Sequence, residues 1–285
     1  MTTAQFHWGY DSFSAECQVN FTGPLDWGKK YPYALYGKKQ SPIDIDTSTT
    51  RIDLNLPNLL LSYDPSKCVT ITNNGHSFAV SAQESGTNLT GGPLRHNYRL
   101  AQFHCHWGSC DEKGAEHTVD GHRYPAELHL VHWNTSLYAS FADAVRNPNG
   151  IAVLGVFLKT GREHPAWAEL EPHFKEIRYM GDSVKLRKGF NPGRLFPENK
   201  QDYWTYDGSL TTPPCYESVR FILFHEPVEI STEQLKEFRS LSYLPASAHK
   251  RRSTCRLVDN FRPCMPLNNR EVVTTWLDNF NFDLF

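Results

Sequence analysis

The 285-residue chain lacks most of what would place it outside ordinary folded enzymes and binding domains. No run approaches the roughly 18 consecutive apolar residues that a membrane-spanning helix needs. There is no internal repeat, no low-complexity tract and no long linker. An excess of charge of one sign is also missing. The 29 basic and 31 acidic residues leave a formal net charge of −2, so nothing favours a nucleic acid or an anionic membrane surface as partner. The opening residues, Met1-Thr2-Thr3-Ala4-Gln5-Phe6-His7-Trp8, carry neither the basic nor the apolar segment of a secretory signal. A cytoplasmic protein is therefore expected, with a secreted one the alternative if the chain lacks a removed signal peptide. Cysteine is sparse and odd in number, at positions 17, 68, 105, 110, 215, 255 and 264, with no CxxC pair. That argues against a disulfide framework and against a cysteine-type zinc site. Reduced thiols are the simpler expectation, with a Cys17–Cys215 bridge left open.

What is present points to one β-rich unit. Hydrophobic residues make up 39% and charged residues 21%, a balance that supports a buried core. β-rich domains of about 200–250 residues commonly fold as a single domain. Short strand-like runs recur at Ser77–Ala82, Tyr98–Trp107, Ala126–Trp133, Ala152–Lys159 and Ser218–Phe224. Asn73-Asn74-Gly75, Gly91-Gly92-Pro93 and Asn147-Pro148-Asn149-Gly150 punctuate them as turns. Two segments read as helices: Pro165–Ile177, interrupted by Pro172, and the stretch after the capping box Ser231-Thr232-Glu233-Gln234. The pattern predicts a mainly β (α+β) single domain over residues 1–285, with short peripheral helices. Strands do not alternate with long helices, so a doubly wound parallel sheet is not expected.

One stretch carries chemistry. In Gln102-Phe103-His104-Cys105-His106-Trp107 the residues alternate, so on a strand Gln102, His104 and His106 share one face. Phe103, Cys105 and Trp107 share the other and can enter a core. Glu127-Leu128-His129-Leu130-Val131 repeats the alternation, with Glu127, His129 and Val131 on one face. If the two strands are neighbours, three imidazoles converge. Three histidines with a vacant fourth position make a catalytic zinc arrangement, whereas a structural site is closed by a fourth protein ligand. An isolated HxH is more often a pair of surface or satisfied core histidines. Gln102 and Glu127 weigh against that reading here, because each lies two residues before a candidate ligand on its own face. There they can accept the second ring N–H and fix its tautomer.

Further landmarks, in order, are His7-Trp8-Gly9-Tyr10, Gln40-Ser41-Pro42-Ile43-Asp44, Asn73-Asn74-Gly75-His76 and Glu116-His117-Thr118. Tyr203-Trp204-Thr205-Tyr206, Ser209-Leu210-Thr211-Thr212-Pro213-Pro214 and Val258-Asp259-Asn260-Phe261-Arg262-Pro263 complete the series. With the two histidine stretches they make the chain resemble the α-class carbonic anhydrases over nearly its full length. The resemblance implies a central twisted, mostly antiparallel sheet of about ten strands. It also implies an activity, the zinc-dependent, reversible hydration of carbon dioxide to bicarbonate and a proton by attack of zinc-bound hydroxide.

The resemblance assigns roles residue by residue. His104, His106 and His129 would hold Zn2+, supported from behind by Gln102, Glu127 and Asn260. Thr211 would donate to Glu116 and orient the attacking hydroxide. Val131, Val153, Leu210, Thr212, Val219 and Phe221 would shape the carbon dioxide pocket, with Tyr206 nearby. Phe221 stands where many relatives carry tryptophan, and Ala79 where many carry a polar residue; these departures bear on turnover, inhibitor affinity and the water path. His76 would export the proton, with Tyr10 and Asn74 ordering the intervening waters. Without the resemblance, Thr211 and Thr212 read as a turn before two prolines, the valines as core, and His76 as a solvent histidine. His117 and His132 read as structural, and His164, His173, His225 and His249 as surface groups. Sulfonamide or anion inhibitors, weak ester hydrolysis and a monomeric state are expected. A non-catalytic module of the same fold would lack one or more ligand histidines, and a mineral-associated protein would carry a secretion signal and acidic or repetitive insertions.

Overall fold

The alternating stretches fold as the centre of a 13-stranded sheet. The computed structural model describes residues 7–10, 21–83, 86–249 and 255–276; Cys17 lies outside them. The strands that matter here are β1 (Cys68–Asn73), β2 (Phe78–Ala82), β3 (Leu94–Trp107), β4 (Ala126–Asn134), β5 (Ile151–Thr160), β6 (Tyr203–Gly208) and β7 (Val219–Phe224). In space they run β1-β2-β3-β4-β5-β7-β6. Neighbours from β1 to β5 are antiparallel. β5 and β7 are parallel, and β7 and β6 return to antiparallel. The sheet is larger than the expected ten strands. The additions include edge pieces such as Arg51–Ile52, Val273–Thr274 and Ser183–Lys185, which are too short to show an alternation in sequence.

Alternation divides the strands between two apolar clusters. Phe103, Cys105 and Trp107 of β3 and Leu128 and Leu130 of β4 enter the larger one. Three of the helices concern the site and its core: α1 (Phe141–Ala144), α2 (Pro165–Glu176) and α3 (Thr232–Arg239). Trp167, Leu170 and Phe174 of α2 and Leu235 and Phe238 of α3 pack into the same core. The Trp107 ring lies 5.5 Å from that of Phe238, and its Nε1 donates to Leu257 O at 2.8 Å. The other face carries Val131, Trp133, Val153 and Phe221 in a second cluster.

The helix starts follow their capping chemistry. Ser231 accepts from Gln234 N at 3.2 Å, and the Gln234 side chain accepts from Ser231 N at 3.2 Å, closing the capping box. At α2, Pro165 takes a first-turn position and His164 Nδ1 accepts from Ala166 N at 3.2 Å. His164 is thus a half-buried cap and not the plain surface group expected. Pro172 does not end α2; it sits on the exposed side, where water can serve the carbonyl that a proline leaves unbonded.

Cys68, Cys105, Cys110, Cys215 and Cys264 are free, so no Cys17–Cys215 bridge forms. Cys255 is disulfide-bonded, which overturns the expectation of uniformly reduced thiols. Nothing in the spacing of the seven cysteines sets Cys255 apart, because a disulfide is decided by which chains the fold brings together.

His132 is structural, as expected. It is fully buried, with Nδ1 3.0 Å from Leu130 O and Nε2 2.9 Å from the Tyr63 hydroxyl. Burial depresses its pKa to about 3. A folded-state value below the ordinary one near 6.5 means that the unfolded chain takes up the proton first as pH falls. The stability tied to neutral His132 is present above about 6.5 and is lost as pH drops towards 3. Chemical denaturation between pH 7 and 4 should show His132→Gln losing stability less steeply than wild type, by up to ~1.4 kcal/mol per pH unit. Equal slopes would show that His132 does not couple folding to protonation.

Candidate active site

β3 and β4 pair so that His129 lies directly opposite His104 and Glu127 opposite His106. Side chains of facing residues share a sheet face, so register alone gathers the three histidines. Their rings lie 4.8 to 5.4 Å apart, centroid to centroid. On the far side of β4, Gly155 of β5 faces His129. A Cβ on Gly155 would collide with the Leu223 side chain.

Each imidazole has one nitrogen bound to a fixed outer partner. His104 Nδ1 lies 2.9 Å from Gln102 Oε1. His106 Nδ1 lies 2.7 Å from Asn260 O, and His129 Nε2 lies 2.6 Å from Glu127 Oε1. As neutral rings these nitrogens donate, so the opposite nitrogens carry lone pairs. Those are Nε2 of His104, Nε2 of His106 and Nδ1 of His129. One ring nitrogen from each residue lies within 4.8 Å of the others. His104 Nε2 and His106 Nε2 are 3.1 Å apart, close to the roughly 3.3 Å that tetrahedral geometry at zinc–nitrogen distances requires. Burial holds the His104 pKa well below its ordinary value, with help from His106 and His129. Burial brings His106 down to about 4. Both rings are therefore in the ligating, neutral form at pH 7.

A second group, His117, Glu127 and His129, also has ligand atoms within 4.8 Å. Its atoms already satisfy one another: His117 Nδ1 and His129 Nε2 both approach Glu127 Oε1, at 2.7 and 2.6 Å. Glu127 Oε2 accepts the backbone N–H groups of Glu116 and His117 at 2.9 and 2.8 Å. Burial alone would raise the Glu127 pKa, but His117 and His129 pull it well below the usual carboxylate range. This carboxylate positions His129 and is fully engaged.

Glu116 is in the opposite condition. Burial raises its pKa to about 7, against opposing pulls from His129 and a Thr211 hydrogen bond. Its Oε1 accepts from Arg262 N at 3.0 Å. Its Oε2 lies 3.3 Å from His106 Nε2 and 3.9 Å from His129 Nδ1. No group meets ordinary hydrogen-bond geometry at Oε2 among the described residues, so the Thr211 contact is a loose one. A buried, under-satisfied carboxylate oxygen beside three converging lone pairs fits a cation between them.

A cavity of about 230 Å³ opens over the triad. Gln102, His104 and His129 line it together with Val131, Val153, Leu210, Thr211, Thr212, Val219 and Phe221. Every expected pocket residue is therefore on its wall. Phe221 stacks on Tyr206 at 5.3 Å and 8°, and its ring centre lies 5.9 Å from that of His129. His76 lies apart from this lining and is stacked on Trp8 at 3.8 Å and 9°. Asn74 Oδ1 accepts from His76 N at 2.9 Å. Tyr10 is buried, packed edge-on against Trp8 and Trp27.

Asn260, expected as a support, acts at three points. Its backbone O meets His106, its Oδ1 accepts from Trp107 N at 2.7 Å, and its Nδ2 donates to His76 O at 2.9 Å. Sequence reasoning missed two further supports. Arg262 is buried, with Nη1 donating to Gln40 Oε1 at 2.9 Å and Ser41 O at 2.8 Å. Tyr206 links His117, 2.6 Å from its hydroxyl, to Ser41 Oγ at 2.9 Å. The landmark stretches Gln40–Asp44, Tyr203–Tyr206 and Val258–Pro263 were the available signal.

The sheet and a histidine triad that could hold a metal ion define a carbonic anhydrase-like protein. Residues 22–276 match the family described as eukaryotic-type carbonic anhydrase. The chain belongs to that family and is an enzyme of it. It is 46% identical over 246 residues to "Carbonic anhydrase 5B, mitochondrial" of Rattus norvegicus, which covers 86% of this chain and 76% of the relative. The protein of the same name from Mus musculus gives the same identity and coverage. "Carbonic anhydrase 7" of Homo sapiens is 44% identical over 272 residues, covering 95% of this chain and 97% of the relative. Two of these relatives are mitochondrial by name, so the comparison gives the expected cytoplasmic placement no support. Among the described residues no helix is long and apolar enough to cross a membrane.

Removing the charge of Glu127 tests the role of its carboxylate. Glu127→Gln should weaken zinc binding about 10–100-fold, the usual cost of losing an outer partner of a ligating histidine. Chelator competition measures it, and unchanged affinity would show that Glu127 does not set the His129 ring.

Proposed function

We propose that the chain catalyses the reversible hydration of carbon dioxide at a zinc ion held by His104, His106 and His129, with His76 exporting the proton. One observation carries the reading: all three histidines have their outer nitrogens tied, by Gln102, Asn260 O and Glu127, while their inner nitrogens converge. Bound zinc supplies a water acidified towards neutral pH, an effect for which carbonic anhydrase is the standard example.

The chain's own groups do the rest. An ionised Glu116 only accepts, so Thr211 donates to it and must accept from the attacking oxygen. That fixes the direction of a lone pair on the nucleophile, which is where orientation lowers a barrier. The Thr211 backbone N–H is the donor suited to negative charge on a substrate oxygen. Val131, Val153, Leu210, Val219 and Phe221 give an uncharged substrate an apolar wall without competing hydrogen bonds. Thr212 stands at the wall beside them. The same opening suits an aromatic sulfonamide or a small anion as inhibitor.

Histidine titrates near neutral pH when unperturbed, and His76 is half-exposed, next to the exposed Asn74. Water ordered by Tyr10 and Asn74 would carry the proton between the site and His76. Stopped-flow hydration assays on zinc-loaded protein test both halves. Wild type should turn over carbon dioxide and be blocked by a sulfonamide, and His129→Ala should lose at least about 100-fold in rate together with its zinc. His76→Ala should lower kcat about tenfold in weak buffer, leave kcat/KM unchanged, and recover with added imidazole. Inactive zinc-loaded wild type would end the proposal, and an unaltered kcat in the variant would remove His76 from it.

A further inference from the structure

The sheet face that carries the triad continues past the active-site cavity because of one irregularity. Val131 pairs with Gln102, but His132 pairs with Leu100, leaving Ala101 as the extra residue of a β-bulge. Without that step, Arg99 would have the parity of Phe103 and point into the core. With it, Arg99 pairs with Trp133, which shares its face with Val131 and His129. The Arg99 guanidinium lies over the Trp133 ring, 5.6 Å from its centre.

Arg99, Ala101, Trp133, Ala139 and Phe141 line a second hollow of about 280 Å³, separate from the one over the triad. Phe141 belongs to both walls. Arg99 is the sole charged group on this lining, and among the described residues it forms no ion pair. The Ser140 hydroxyl is directed to Asp143 Oδ2 at 2.7 Å, so it does not neutralise the arginine. Ala82, Ala101 and Ala139 and the Trp133 and Phe141 rings give the wall its apolar part, with Leu100 and Ser140 completing it.

The structure assigns this hollow as a binding site for a small monocarboxylate with an apolar, flat body. The guanidinium offers a two-pronged match to a carboxylate, and Trp133 holds it in place from behind. A single cation beside the Trp133 and Phe141 rings favours one negative charge on a flat body over a phosphate or a dicarboxylate. The volume suits a ligand of one ring. The site needs neither the metal nor the hydration chemistry, so it stands or falls independently of the proposed function.

4-Fluorobenzoate is the probe, followed by 19F NMR titration of the zinc-loaded protein and then of the same protein stripped of metal. The expected result is binding that survives stripping. It should weaken at least about tenfold in Arg99→Ala, and similarly in Ala101→Leu, which fills the hollow. Arg99→Lys should weaken it too, since a point charge cannot replace the fork. Wild-type near-ultraviolet circular dichroism in the variants confirms that they are folded. Three results would each overturn the assignment: no binding up to tens of millimolar, binding that disappears with the zinc, or binding unchanged in both Arg99→Ala and Ala101→Leu.

Discussion

A neutral imidazole has one N–H and one lone pair, and the architecture depends on which nitrogen carries which. At His104, His106 and His129 the N–H is drawn outward by an amide oxygen, a backbone carbonyl and a carboxylate. The lone pairs are left facing one another. Three lone pairs on nitrogens within 4.8 Å of one another repel, and a cation at their centre turns that repulsion into attraction. Donor strength and position are fixed before any cation arrives, so little reorganisation is needed on binding.

The outer partners differ in cost. Gln102 and Asn260 O are neutral acceptors. Glu127 is a buried charge, tolerable only because four groups hydrogen-bond it: His117, His129 and two backbone N–H groups. Glu116, reached across the same Glu116–His117 backbone, is left partly unsatisfied with a pKa raised to about 7. The two carboxylates thus have opposite roles. One is locked as an anion that steers a ring, and the other keeps an unsatisfied oxygen 3.3 Å from His106 Nε2. The segment Val258–Pro263 connects them to the rest, through Asn260 at His106 and His76, and Arg262 at Glu116.

Much of this was legible because β3 and β4 separate two environments. Phe103, Cys105 and Trp107 enter a core while Gln102, His104 and His106 face a polar centre, and that difference writes itself as strict alternation. The capping box at Ser231 was legible for the same local reason. The parts that could not be read depend on tertiary context. A two-residue edge strand has no period, a bulge at Ala101 has no signature in alanine itself, and the burial of Arg262 depends on Gln40 and Ser41, distant in sequence. His164 looked like any surface histidine because capping by imidazole is uncommon. The family resemblance, and not the spacing, pointed to Thr211, Glu116 and His76.

Zinc K-edge X-ray absorption on the zinc-loaded protein reads the pre-set donor arrangement itself. One zinc per chain is expected, with three imidazole nitrogens and one oxygen at about 2.0–2.1 Å. A first shell containing sulfur, a fourth imidazole, or two imidazoles with a protein carboxylate would refute it.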